Sequence, residues 1–355
     1  MEYGILQFIG DEAVIKNLVT GLSTFSLITI IVVCIIALSK GADWMIDGVV
    51  NLAERTGLPK IVIGASIVSL GTTMPEAFVS VMAALMGNPG LALGNGVGSI
   101  IADTGLIFGL TCVLTAVPIN RFILNRTGWV QVGSATLLVL LSLIALIKAG
   151  SEGPMLQRSV GFFFLLLLVT YLYFTYRWAS QNNALASAID IEETDLTQET
   201  LMSLKACWLC IIGGLIIVII SARVLIPSAS EIAVRIGVPD DVIAATLVAF
   251  GTSLPELITA ITSVRKGYPE ITLGNIVGAD VLNCLFVIGA AATAKPLSIP
   301  SNFFYFHFPA MLIILYSFRF FIFMNKSGVF KRWQGLYLLG VYGVYLTFQY
   351  VFNLA

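Results

Sequence analysis

The chain has 355 residues, with 19 Lys plus Arg against 20 Asp plus Glu and a formal net charge of −1. It is 58% hydrophobic and 11% charged, whereas soluble domains carry about 25% charged residues. That composition excludes an ordinary water-soluble domain, and the absence of any basic block argues against nucleic acid as a partner. The partner it does imply is the lipid bilayer.

Taken in chain order, the first 20 residues mix Asp11, Glu12 and Lys16 with apolar positions. They lack the basic start and cleavage motif of a signal peptide and read as an interfacial lead-in. Ten hydrophobic segments follow, near 23–53, 58–86, 91–117, 128–148, 158–178, 203–235, 238–265, 270–293, 302–324 and 333–352. A bilayer core needs about 20 apolar residues per helix, so each segment predicts a membrane span. The first and sixth are longer than that and are expected to tilt or to protrude. The one sizeable polar interruption, 179–202, contains "DIEETDLTQE" and reads as an acidic linker. Residues 1–178 then form a first five-helix half with its lead-in, and 203–355 a second. Under this topology 12 Lys and Arg fall on the linker's side and 6 on the other. The positive-inside rule places the linker in the cytoplasm and both termini outside. The expectation is an all-α, multi-pass protein of the plasma (inner) membrane.

The five cysteines lie in or beside apolar runs, and Cys207 with Cys210 forms a CxxC on a predicted span. Without a βαβ setting these read as small helix residues rather than a redox pair. The single histidine, His307, reads as a bonded residue near a membrane boundary.

An internal repeat is the strongest feature. Residues 57–103 align without a gap on 237–283, 180 positions further on, with 17 of 47 positions identical. The identities include Gly71/Gly251, Thr72/Thr252, Pro75/Pro255, Glu76/Glu256, Gly94/Gly274 and Asn95/Asn275. The shift spans five crossings, an odd number, so the two copies are inverted. Inverted repeats built on interrupted helices are a signature of secondary transporters.

The repeated "GTTMPE" and "GTSLPE" place a glutamate deep in lipid. Glu76 lies about 15 Å from the end of its span at 1.5 Å per residue, near the middle of a hydrocarbon core of about 30 Å. Glu256 and Asp280 lie equally deep. A carboxylate there costs at least about 2.5–3.5 kcal/mol without a partner, and no Lys or Arg of the repeat spans is positioned to supply one. A bound cation is the natural counter-charge. Pro75 has no N–H for the carbonyl of Gly71, which frees carbonyls around Ser69 to Thr72 to face an ion, as around Ala249 to Thr252. Thr72, Thr73, Thr252 and Ser253 add hydroxyls. An all-oxygen set of this kind suits hard cations such as Ca²⁺ or Na⁺.

The doubled motif resembles the calcium/cation antiporter superfamily, and most closely its bacterial and archaeal sodium/calcium exchanger branch. The resemblance implies ten helices in two inverted halves, no enzyme activity and no resident cofactor, with Ca²⁺ and Na⁺ as transported ions. Carried over by motif, the implied ligands are Thr72, Thr73 and Glu76 in the first repeat and Thr252, Ser253, Glu256 and Asp280 in the second. Ser69 and Ala249 match positions that offer carbonyls. The family usually reads "GSN" and "GSD" where this chain reads "GSI" and "GAD". Ile100 therefore stands where an amide ligand is expected. Asp103, in place of the family's asparagine, offers either a displaced oxygen or a proton-carrying group.

The implied function is Ca²⁺ export driven by Na⁺ entry through alternating access. Exchange of a cation for protons is the alternative, and a cation channel is a weaker one. Asp43 and Asp47 on the first span read as snorkelling or capping residues. Asp190, Glu192, Glu193 and Asp195 read as a solvated stretch, because their spacing fits no EF-hand loop.

Overall fold

The computed structural model describes residues 18–149, 153–189, 201–237, 253–325 and 328–351. Its helices, in chain order, are α1 (Thr24–Thr56), α2 (Lys60–Leu85), α3 (Pro89–Leu114), α4 (Arg121–Ile147) and α5 (Arg158–Ile189). The second half supplies α6 (Leu204–Arg235), α7 (Leu254–Arg265), α8 (Pro269–Ala294), α9 (Phe303–Met324) and α10 (Arg332–Val351). Among the described residues, eight helices are long and apolar enough to cross a membrane. α10 and the described part of α7 are not among those eight. The N-terminal part of the predicted seventh span, 238–252, lies outside the described residues, as does 190–200 of the acidic linker.

The 180-residue shift governs local structure as well as sequence. Ser23 caps α1 by accepting the Ser26 amide at 3.1 Å. Its repeat mate Ser203 caps α6 by accepting the Ala206 amide at 3.2 Å. Gly57 and Gly237, again mates, follow the two helices with φ of 67° and 87°, where a side chain would be strained. Short strands knit the halves together. Val117–Pro118 pairs with Val329–Phe330, and Met155–Leu156 with Leu297–Ser298.

Burial sorts the helices into centre and periphery. The most apolar window of α8 is 83% buried, against 72% for α3, 67% for α2 and 28% for α1 and α6. The repeat motifs therefore occupy the middle, and the two long helices ride on the outside. At 33 and 32 residues both outreach a bilayer core, as their lengths in sequence require.

α1 and α6 pack on each other through glycine. A Cβ on Gly214 would stand 2.4 Å from the Gly41 carbonyl oxygen, so only glycine permits the crossing. Cys207 serves the same contact, since its carbonyl lies where a Gly48 Cβ would go. All five cysteines are free. Each end of the pair is clipped by an arginine. Arg55 donates to the carbonyls of Leu201 (3.0 Å) and Met202, just before α6. Its mate Arg235 donates to those of Leu22 (2.8 Å) and Thr20 (3.2 Å), just before α1. Arg55→Ala strips donors from two carbonyls and should cost about 1 kcal/mol. The thermal midpoint in detergent should fall accordingly.

Two polar residues inside spans are held locally. Arg319 on α9 donates to the Leu124 carbonyl (3.2 Å) and Asn125 Oδ1 (3.3 Å), and lies 4.6 Å from the centre of the Trp129 ring. His307 Nδ1 bonds the Tyr345 hydroxyl at 2.9 Å.

Candidate cation centre

The centre is built where α2 and α8 lose helical regularity. α2 carries a π-helical turn at Gly64–Val68, then Pro75 inside the following α-helical stretch. α3 and α8 carry π-turns at the repeat-related Asp103–Phe108 and Asn283–Ile288. Such turns redirect side chains and release backbone carbonyls, and they gather at functional sites. Each begins on a polar residue: Asp103 in α3, Asn283 in α8. These mates face each other, with Asn283 Nδ2 donating to Asp103 Oδ2 at 3.4 Å.

On α2, Ser69, Thr72, Thr73 and Glu76 are each at most 1% exposed. Thr72 Oγ1 lies 3.4 Å from both the Ser69 carbonyl and Asn275 Oδ1, with the Glu256 carboxylate nearby. One hydroxyl hydrogen cannot serve two acceptors, so oxygen lone pairs are left over here. Thr73 Oγ1 and both carboxylate oxygens of Glu76 have no hydrogen-bond partner. Asn95, the repeat mate of Asn275, braces α3 on α2 by donating to the Glu76 carbonyl (3.1 Å) and Ser80 Oγ (2.9 Å).

The other half brings Glu256, whose Oε2 is unpartnered, and Asp280, whose Oδ1 is unpartnered. Asp280 Oδ2 accepts from Thr104 Oγ1 and Gln131 Nε2, both at 2.5 Å. Asp103 lies near Ser253 and keeps its own Oδ1 unpartnered. The four carboxylates lie close enough to feel one another: Glu76 with Asp103 and Glu256, and Asp103 with Glu256 and Asp280. No three acidic, His or Cys groups close on one point among the described residues.

Of the residues singled out in the sequence, the structure brings together Ser69, Thr72, Thr73, Glu76, Asp103, Ser253, Glu256 and Asp280. Thr252 and Ala249 lie outside the described residues. Ile100 is 0% exposed within the apolar core. The carboxylate that α3 contributes is Asp103, one turn on. Ile100→Asn would therefore bury an amide among hydrocarbon at a cost of about 1–3 kcal/mol. The expected result is a lower thermal midpoint with no change in which ion drives flux.

Several functional groups escaped the sequence reading. Gln131 and Thr104 hold Asp280 from 149 and 176 residues away, and a lone glutamine in an apolar span was the available signal. Arg223 is a correction to the charge count: tallied among the 6 basic residues on the side opposite the linker, it lies inside α6 and within electrostatic reach of Glu76. Glu76 thus has a basic neighbour from outside the repeat motif.

Comparison with known proteins agrees with this architecture. The family described as "Sodium/calcium exchanger protein" matches residues 26–177 and 206–351. The sodium/calcium exchanger MaX1 of Methanosarcina acetivorans is 27% identical over 348 residues, covering 90% of this chain and 97% of its own. The inner membrane protein YrbG of Escherichia coli is 30% identical over 326 residues, covering 90% and 96%. The solved structure of a sodium/calcium exchanger from Methanococcus jannaschii superimposes with TM-score 0.75 at 23% identity, covering 92% of this chain and 99% of that one.

Proposed function

The chain belongs to the sodium/calcium exchanger protein family, and from that premise we propose that it exchanges Ca²⁺ for Na⁺ across the inner membrane by alternating access. It is a multi-pass membrane transporter and not an enzyme. The observation that carries the reading is the set of buried, unpartnered oxygens on Thr73, Glu76, Asp103, Glu256 and Asp280. Buried polar groups are otherwise almost always bonded, and unpaired charge at this depth is expensive. Carboxylate, hydroxyl and freed carbonyl oxygens make a donor set for hard cations. The proposed ligands are Ser69, Thr72, Thr73, Glu76, Asp103, Ser253, Glu256 and Asp280, with Thr252 and Ala249 completing the second repeat.

In this mechanism one Ca²⁺ or a group of Na⁺ ions neutralises the same carboxylates in turn. The α1–α6 pair then shifts against the rest and exposes the centre to the other side. An empty centre resists the shift, because uncompensated charge would be sealed from water. The test is uptake of labelled Ca²⁺ into liposomes loaded with Na⁺, with choline or with acid. Uptake that requires internal Na⁺ supports the proposal, and uptake driven by acid alone overturns it. The fourth carboxylate, Asp103, favours proton coupling as the second reading, and the acid-loaded arm detects it.

The inner-membrane location draws on the Escherichia coli relative's name. The orientation, with termini outside and the 179–202 linker in the cytoplasm, rests on the Lys/Arg distribution. A terminal reporter that works only outside the cytoplasm should be active when fused to residue 355.

A further inference from the structure

α1 and α6 are fastened to each other at both ends by Arg55 and Arg235 and crossed on Gly41 and Gly214. They are therefore one body. Among the described residues, the ion pairs within 4.0 Å that tie this body to other elements lie at one end. Lys266, directly after α7, places Nζ 2.6 Å from Asp47 Oδ1, 3.0 Å from the Asp43 carbonyl and 3.8 Å from Asp43 Oδ1, both on α1. The same end carries Lys60 with Glu54 at 4.0 Å. The ion pair at the far end, Arg235 with Glu231, is internal to α6. The repeat mates of Asp43, Asp47 and Lys266 are Arg223, Pro227 and Met86, so the far end cannot build the same contact.

The position of the two aspartates gives the contact its meaning. α1 outreaches the bilayer core, and Lys266 directly follows the last turn of α7, so the contact sits toward one membrane boundary. The Asp43 and Asp47 side chains are 35% and 46% exposed there. Lys266 bridges α7 to α1 at this point, and α7 continues from it back to Glu256.

We propose that Lys266 is a tethered cation that clasps the α1–α6 body to α7 and governs access to the carboxylate centre from its own end. This rests on the exchanger reading. A transported cation arriving from that end meets Asp43 and Asp47 already occupied, and must compete with the ammonium before the body can part from α7. The device is one-sided, so the two facing states differ in energy. Lys266 is a positioning residue and touches no transported ion.

The first test is a cross-link. In a background lacking the five natural cysteines, Asp47→Cys with Lys266→Cys is oxidised, and Na⁺-driven Ca²⁺ flux is followed before and after reduction. Flux lost on oxidation and recovered on reduction is the expected result. A failure to cross-link, or a cross-linked protein that still exchanges, overturns the clasp. The second test uses Lys266→Met and Lys266→Arg in membrane vesicles of both orientations. Half-exposed ion pairs contribute little, so Lys266→Met should lower the apparent KM for Ca²⁺ from the Lys266 end by about two- to five-fold. The opposite end should not gain affinity, and Lys266→Arg should restore wild-type values. Equal changes from both ends mean a merely structural role and overturn it. Wild-type protein without any Na⁺–Ca²⁺ exchange would remove the exchanger reading and the clasp with it. Wild-type exchange without a one-sided effect removes only the clasp.

Discussion

Glu76→Gln and Glu256→Gln should each abolish Ca²⁺ flux, by at least about 100-fold at micromolar Ca²⁺. Glutamine keeps the shape of glutamate and the core packing around it, so what is lost is the charge. A cation drawn into a buried site owes several kcal/mol to each carboxylate it meets, and every 1.4 kcal/mol is a factor of ten in affinity. A stability measurement separates this explanation from simple damage. Without cations, burial and the neighbouring carboxylates make it costly to ionise Glu76, Asp103, Glu256 and Asp280 together. Glu76→Gln removes one of the charges, so the ion-free variant should melt higher than ion-free wild type. Saturating Ca²⁺ should raise the wild-type midpoint, since ligand at 100 times Kd contributes about 2.7 kcal/mol. It should leave the variant nearly unmoved. A variant that melts low under both conditions would mean the glutamate holds the fold rather than the ion.

How much of this could be read in advance depended on whether a feature is written locally. The glutamates stood out because each is an isolated charge in an apolar run and appears twice, 180 residues apart. The Pro75 break is a matter of covalent chemistry and needed no structure. The π-turns were not legible, because one extra residue in a helical turn leaves the apolar periodicity almost unchanged. Repeat alignment set Ile100 against Asp280 and offered Asp103 as a displaced oxygen, and it is Asp103, at the start of the π-turn, that stands among the buried carboxylates. Gln131, Thr104 and Arg223 depend on long-range packing, which no local pattern encodes. Asp43 and Asp47 looked like snorkelling residues, since nothing near them in the chain announces Lys266.

Gly274→Val should prevent stable folding, with no monodisperse protein recovered at yields where wild type is abundant. A Cβ at this position would stand 2.1 Å from the Ile61 carbonyl oxygen, 2.9 Å from its carbon and 3.0 Å from the Ala65 amide nitrogen. These atoms are backbone, so no rotamer change relieves the clash, and α8 must move bodily away from α2. Overpacking against movable side chains costs about 1–3 kcal/mol, and a rigid backbone wall raises that figure. The consequence reaches function because Gly274 adjoins Asn275, whose Oδ1 lies 3.4 Å from Thr72 Oγ1. Even a variant rescued by low temperature should therefore bind Ca²⁺ poorly. Gly133→Ala is the control, since nothing lies within 4 Å of a Cβ added there. Relief of the glycine penalty in α4, up to about 1 kcal/mol, should leave it at least as stable as wild type. If Gly274→Val instead folded and transported normally, the close approach of α8 to α2 would be wrong, and with it the route by which repeat geometry sets the cation centre.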